Sequence, residues 1–200
     1  LGHDALGTTL PEQQKALVKT AKAVAEFIKQ DYQVVITHSN GPQVSMIHTA
    51  MSEFCRLYPE YTATPMSVCS AMSQGYIGYD LQNALREELL DRGIQKDCAT
   101  MLTQVEVSPD DPAFKNPTKP IGSFMTKEEA DELVREKGYK VIEDSGRGYR
   151  RVVASPKPVS IVEIDTIKAL VESNHVVIAC GGGGIPVFKT GGHHLSLIHI

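Results

Sequence analysis

Strand-like and helix-like segments alternate along most of this chain of 200 residues. Short runs rich in β-branched residues occur at 32–37, 99–107 and 175–180. Between them, apolar residues recur every three or four positions, which is the period of a helix packed on one face. Strands that alternate with helices are joined by crossovers, which give parallel pairing and helices on both faces of a sheet. The pattern predicts an α/β fold, a three-layer αβα sandwich with a mostly parallel sheet.

The helix boundaries carry local signals. Thr9–Glu12 and Thr126–Glu129 have the Thr-x-x-Glu spacing of a capping box. Gly93 stands where a helix would end. We predict helices at about 11–30, 43–56, 68–76, 80–92, 126–137 and 161–173.

Residues 108–155 interrupt the alternation. The stretch 108–122 holds four prolines and few apolar residues, so we predict that it is irregular. Two short strands at 139–143 and 149–153 follow, around a Gly-rich turn, and indicate a hairpin. We expect residues 108–155 to form a small excursion that returns to the main sheet.

Composition excludes several classes of protein. The net charge is −4, with 42% apolar and 22% charged residues, which is typical of a folded chain and not of a broadly basic nucleic-acid binder. We find no apolar run of the length that spans a membrane. The four cysteines form no CxxC pair and are interpreted as reduced thiols. We therefore expect a cytoplasmic protein that binds neither nucleic acid nor membrane, and no metal site.

The last six residues have a second interpretation. Leu-Ser-Leu-Ile-His-Ile is also the translation of CTG TCT CTT ATA CAC ATC, the end of a transposon adapter used in sequencing libraries. We interpret residues 195–200 as an adapter-derived tail. The first strand is also nearly absent from the segment before the first helix, so we expect the gene to be truncated at both ends.

Three loops next to predicted strands are candidates for binding an anion. They contain Gly2, His3 and Asp4; Ser39, Asn40 and Gly41; and Gly182 and Gly183. Glycine lets backbone N–H groups approach an anion, and ligands of open α/β sheets bind beyond the carboxyl ends of the strands. Each loop taken alone is equally well an ordinary tight turn. The chain has neither a P-loop nor a Gly-x-Gly-x-x-Gly motif.

Lys119 is the candidate catalytic residue. It stands in Asn-Pro-Thr-Lys-Pro, where two prolines restrict the backbone and would hold the ammonium in place. From the residues alone, a solvated loop lysine is the more common case. The arginines at 147, 150 and 151 are more typical of surface charges than of ligands.

Six strings of residues resemble the carbamate kinases of the amino acid kinase family, in the same order and over essentially residues 1–194. They are residues 5–7 (ALG), 37–44 (THSNGPQV), 74–79 (QGYIGY), 115–122 (KNPTKPIG), 146–153 (GRGYRRVV) and 180–186 (CGGGGIP).

The resemblance implies an amino acid kinase-like fold, in which residues 1–194 would form the amino-terminal substrate lobe and residues 108–155 a small protruding subdomain. It also implies reversible phosphoryl transfer between ATP and carbamate, giving carbamoyl phosphate and ADP. It implies the ATP-forming direction of the arginine deiminase pathway, Mg²⁺ brought by the nucleotide, and a homodimer. Asn40 and Gly41 would lie in the substrate loop, and Lys119 would reach the transferring phosphoryl group. Phosphoryl transfer depends mainly on positioning and on charge neutralisation, which such residues can provide.

The sequence also departs from the family pattern. His3 and Asp4 replace a Gly-Asn pair, and Ser39 replaces a glycine. Most of the nucleotide lobe, with its Asp-Lys-Asp motif, would lie beyond residue 194, so we expect these 200 residues alone to be inactive. Two alternatives stay open: a catalytically dead or regulatory paralogue that binds a small phosphorylated acid, and another small-acid kinase of the same family.

Overall fold

The computed structural model describes residues 9–196 of the chain. Six α-helices, ten strands and a short 3₁₀ turn at Gly181–Gly183 make up this part. The helices are α1 Leu10–Lys29, α2 Gly41–Leu57, α3 Met66–Asp91, α4 Pro112–Lys115, α5 Lys127–Lys137 and α6 Ile164–Glu172. The strands are β1 Val35–Ile36, β2 Cys98–Thr100, β3 Gln104–Val107, β4 Lys119–Met125, β5 Val141–Glu143, β6 Tyr149–Val153, β7 Pro158–Ile161, β8 Val176–Ile178, β9 Ile185–Thr190 and β10 His193–Ser196.

The central sheet is parallel and has the order β1-β8-β2. Its middle strand, β8, is buried on both faces, which explains its continuous apolar sequence. Val176 packs with Leu85 and Leu89 of α3 on one face, whereas Val177 packs with Ile167 of α6 on the other. Helices on both sides of a parallel sheet confirm the predicted αβα fold class.

A second sheet has the strand order β10-β9-β3-β7. Its inner pair, β3 and β9, is parallel, and the two outer pairs are antiparallel. Strand β10 includes residues 195 and 196, the first two of the hexapeptide that we interpret as adapter. Backbone pairing places no demand on side-chain identity, so the interpretation of that tail stays a prediction.

A third, antiparallel sheet with the order β4-β6-β5 stands apart from the other two. We call this sheet and α5, residues 119–153, the flap. Helix α5 begins at the predicted capping box, in which Glu129 accepts from Thr126 N at 2.7 Å, and it ends at Gly138 with φ +63°. The flap contacts the body through α2, where Gly122 N donates to Ser45 Oγ at 2.8 Å.

Several predicted element boundaries are wrong. Helices at 68–76 and 80–92 are one helix, α3, because its two internal glycines, Gly75 and Gly78, keep helical backbone angles. The strand at 99–107 is two strands in different sheets, divided where Thr103 N donates to Gln74 Oε1 at 2.9 Å. Residues 108–122 are not irregular throughout, since they contain α4 and the start of β4. The strand at 32–37 is reduced to β1.

In residues 9–196, no helix has the combination of length and apolarity needed to cross a membrane.

Gly78 allows α3 to lie close to β2. A Cβ at Gly78 would overlap the Thr100 side chain, whose hydroxyl donates to Gly78 O at 3.0 Å. We expect Gly78→Ala to lower the free energy of unfolding by about 1–3 kcal/mol through overpacking. Gly75→Ala is the matched control, since Gly75 has open space around it in the same helix, and it should raise stability by up to about 1 kcal/mol. Urea unfolding monitored by circular dichroism checks both, and equal effects of the two variants would contradict the close-packing argument.

Candidate anion-binding site

The carboxyl ends of β1 and β8 bring two loops together. Thr37 Oγ1 donates to Cys180 O at 3.1 Å, and Gly182 N donates to His38 O at 2.8 Å. Because β1 and β8 are parallel neighbours, their ends lie at one edge of the sheet. We call residues 37–40 the Asn40 loop and residues 179–184 the glycine loop. These two loops therefore form one surface.

The Gln74 side chain of α3 holds the glycine loop in place by hydrogen bonding to its backbone. This side chain is 1% exposed, and its Nε2 donates to Gly181 O at 2.9 Å and to Thr103 O at 3.2 Å. A Cβ at Gly181 would overlap the His38 ring and approach Gln74 Cγ. The loop thus has space for glycine alone at this position.

Asn40 packs against Gly182. The Asn40 side chain is buried and its Nδ2 donates to Ser73 Oγ at 2.8 Å. Gly182 has φ +67°, and a Cβ there would overlap the Asn40 amide. Gly183 has φ +91° with open space around it. The close approach of the two loops therefore depends on Gly182 in particular.

Lys119 reaches this surface from the flap. Its Nζ lies 3.5 Å from Gly182 O, at the outer limit of a hydrogen bond. Between the flap and the loops lies a cavity of about 650 Å³, which is lined by Asn40, Lys119, Gly182 and Gly183. The ammonium therefore stands at a hollow large enough for a small ligand.

Two helices begin at this cavity. Asn40 precedes α2, and Met66 and Ser67 open α3 on the opposite wall. Helix N-termini present free N–H groups and a positive dipole end. Ser67 Oγ is buried and has no hydrogen-bond partner among residues 9–196. The N–H groups of the two helix N-termini and the Ser67 hydroxyl can donate hydrogen bonds to a ligand, which favours an anion.

The charges around the cavity have one sign. Lys119 and Arg151 line it, and the described lining residues include no Asp or Glu. His48 also lines the cavity, and its pKa is lowered from the usual value of 6.5, first by burial and then by the positive charges of Arg151 and Lys137. A positive potential without a carboxylate suits phosphate or a carboxylate ligand.

The structure brings together most of the residues predicted for the site. Asn40, Lys119, Gly182 and Gly183 share the cavity, and Gly41 opens α2 beside them. Ser39 is exposed in the same loop and is not among the described residues that line the cavity. The predictions for Gly2, His3 and Asp4 lie outside the described residues.

Sequence reasoning missed His48, Ser67 and Arg151 as cavity residues. His48 and Ser67 carry no local signal, since the cavity forms only when helices and flap assemble. Arg151 could have been found from the strand alternation of residues 149–153 together with the register of the flap sheet.

Comparison with known proteins identifies the relatives of this chain. The model of the amino acid kinase family matches residues 5–192. The carbamate kinase-like protein YqeA of Escherichia coli is 58% identical over 96% of this chain and 62% of its own length. Carbamate kinase 2 of Staphylococcus epidermidis is 51% identical over 94% of this chain and 61% of its own length.

Solved structures show the same likeness. Carbamate kinase from Giardia lamblia bound to citric acid has a TM-score of 0.89 and 36% identity, covering 98% of this chain and 64% of that chain. The same enzyme bound to AMP-PNP has a TM-score of 0.82 and 36% identity, covering 97% of this chain and 61% of that chain.

The αβα sandwich of this chain is thus the fold of the carbamate kinase structures named above. The chain belongs to the amino acid kinase family. It spans about 62% of the length of the curated relatives that it matches.

Gly182→Ala should damage the site while leaving the core intact. The new Cβ would displace the buried Asn40 amide, and we expect the affinity for inorganic phosphate to fall by about tenfold or more, the equivalent of about 1–3 kcal/mol of overpacking. Gly183→Ala is the control with a similar positive φ but free space, and it should weaken binding less. Isothermal titration with phosphate measures both, and an order reversed between the two variants would contradict the role of the Asn40–Gly182 contact.

The protonation of His48 should make stability depend on pH. Because its pKa in the folded chain lies below 6.5, the unfolded chain binds more protons once the pH falls below about 6.5. Burial also lowers the pKa of His38, so the two act in the same direction. Stability should therefore be greatest well above pH 6.5 and decrease as the pH is lowered through that value. His48→Gln should make this decrease smaller, and identical thermal midpoints against pH for both proteins would refute the shift.

Proposed function

We propose that the protein is a carbamate kinase, which transfers a phosphoryl group between ATP and carbamate and forms carbamoyl phosphate and ADP. The observation that carries the proposal is Lys119 of the flap, whose ammonium stands over Gly182 at a cavity that Asn40 also lines. The relatives named as carbamate kinases, at 50–53% identity, support the choice of reaction.

In this proposal the cavity holds the small acid and its phosphoryl group. Lys119 neutralises charge on the phosphoryl oxygens and, as a strand residue, is held in place before the substrate arrives. The N-terminus of α2 would donate to the same oxygens, whereas the N–H groups of Gly182, Gly183 and Gly184 donate to backbone carbonyls of the two loops. Asn40, fixed by Ser73, orients the loop, and the flap excludes water over the reacting atoms.

The nucleotide and its metal ion enter the proposal as substrates. AMP-PNP is bound by the Giardia lamblia enzyme, and we propose ATP or ADP for this protein. The described lining of the cavity offers no carboxylate that could hold Mg²⁺, so this ion would come with the nucleotide.

The wider context is also proposed. The reaction would run toward ATP, from carbamoyl phosphate and ADP, in the arginine deiminase pathway of the cytoplasm. We further propose a homodimer. Its support is an exposed aromatic cluster at the end of α2, in which the Phe54 ring lies 4.9 Å from Tyr58 and 5.1 Å from Tyr61 between centroids. A second copy of the chain could cover such a surface.

The test is the effect of Lys119→Met on turnover, measured with the chain extended to the length of its curated relatives. Removal of a preorganised cation that stabilises transferring phosphoryl oxygens should lower kcat for carbamoyl-phosphate-dependent ATP formation by about 100-fold or more. Lys127→Met is the control, because Lys127 is an exposed lysine of the flap that does not line the cavity.

Three results are distinguishable. Loss of kcat in Lys119→Met alone supports the proposal. Equal rates in both variants refute the role of Lys119. If the extended chain itself forms no ATP but still binds carbamoyl phosphate, the protein is the binding or regulatory paralogue considered from the sequence, and the proposed activity is wrong.

A further inference from the structure

The register of the flap sheet places a second cation beside Lys119. Lys119 pairs with Val153, and Ile121 pairs with Arg151, across the antiparallel strands β4 and β6. Directly paired residues, and residues two apart on one strand, project from the same face of a sheet. All four of these residues line the cavity. This face of the flap therefore presents an ammonium and a guanidinium to the same hollow.

Arg151 differs from the two neighbouring arginines of the flap. Arg150 donates to Asp144 Oδ2 and to Gly122 O, both at 3.1 Å, and Arg147 lies 3.8 Å from Asp144 Oδ1. Arg151 has no carboxylate partner among residues 9–196. Instead its Cζ lies 3.5 Å from the centroid of the Tyr139 ring.

This environment prepares Arg151 for an anion. The side chain is half-buried, and burial lowers its pKa from the usual value, although an arginine stays protonated in proteins. Stacking on Tyr139 holds the guanidinium plane without using its N–H donors on a carboxylate. A charge that has lost water and has no counter-ion gains most when an anion enters the cavity.

We propose that Arg151 is a second anion-binding residue of the cavity, whose guanidinium binds oxygens of the phosphoryl group together with Lys119. The inference rests on the proposed function and sharpens its substrate class. Two cations on one face of the flap match a phosphoryl dianion, so the site selects the phosphorylated acid over the unphosphorylated, singly charged acid.

The experiment compares Arg151→Met with Arg151→Lys in the chain extended to the length of its relatives. Methionine keeps much of the apolar length and removes the charge, whereas lysine keeps the charge. A lost charge-assisted hydrogen bond corresponds to about 10- to 100-fold in affinity, so KM for carbamoyl phosphate should rise by that factor in Arg151→Met. KM for carbamate should rise less, and Arg151→Lys should recover part of the affinity for carbamoyl phosphate.

Arg147→Met is the matched control, because Arg147 is an exposed arginine of the same flap and does not line the cavity. Its KM values should equal those of the parent. Thermal midpoints of all three variants separate loss of binding from loss of folding. An equal rise of both KM values in Arg151→Met, or no rise, would overturn the inference while ATP formation by the parent upholds the proposed function.

The opposite failure is visible in a binding measurement. Titration of inorganic phosphate into the parent and into Arg151→Met requires no turnover. If the parent binds phosphate about 10-fold or more tightly than Arg151→Met but forms no ATP, the proposed function fails and the anion-binding role of Arg151 stands. If both bind phosphate equally, Arg151 has no such role.

Discussion

The buried amide of Gln74 is the interaction on which the geometry of the site depends. It lies in the interior of α3, yet it bonds both the N–H and the carbonyl of Thr103 and the carbonyl of Gly181. Thr103 in turn accepts from Cys180 N at 3.1 Å. The Gln74 side chain thus satisfies Thr103 N at the point where β2 ends and β3 begins, and it gives a second donor to the carbonyls of Thr103 and Gly181, which also accept from Ile185 N and Gly184 N. An unmet backbone group at this depth would cost about 1–3 kcal/mol, so the amide holds the loop in one conformation.

Much of the fold could be predicted from the sequence because its signals are local. Capping boxes at Thr9 and Thr126, and the continuous apolar run of β8, each depend on residues a few positions apart. The boundary errors have a tertiary cause. Gly75 and Gly78 look like a helix break, but both keep helical backbone angles, and close packing against Thr100 favours glycine at position 78. Likewise, 99–107 has uniform β-propensity, and only the distant Gln74 divides it into two strands.

The residues of the candidate site can likewise be divided into those with a local sequence signal and those positioned only by tertiary structure. The glycine and Asn40 loops could be predicted because a loop beyond a parallel strand has a fixed place in the fold. The prominence of Lys119 came from its prolines and from a family resemblance. Arg151 stands beside Arg150 in the sequence and has the same chemistry, and the two differ only in the face of β6 on which they lie. That difference is set by pairing with β4, which composition does not encode.

The flap arginines show how the fold separates stabilising charge from charge available to a ligand. Asp144 forms ion pairs with Arg147 and Arg150, and the hydrogen bond from Arg150 is the main cause of the lowered pKa of Asp144. Those cations are compensated within the flap and add to its cohesion. Lys119 and Arg151 project from the other side, where the described cavity walls supply helix N-termini, the Ser67 hydroxyl and His48, whose pKa is lowered by burial. Two partly desolvated cations without a counter-ion lower the stability of the folded chain, and a bound dianion would raise it again. In the proposed function, binding energy would therefore be concentrated on the charged group of the substrate, where phosphoryl transfer requires it.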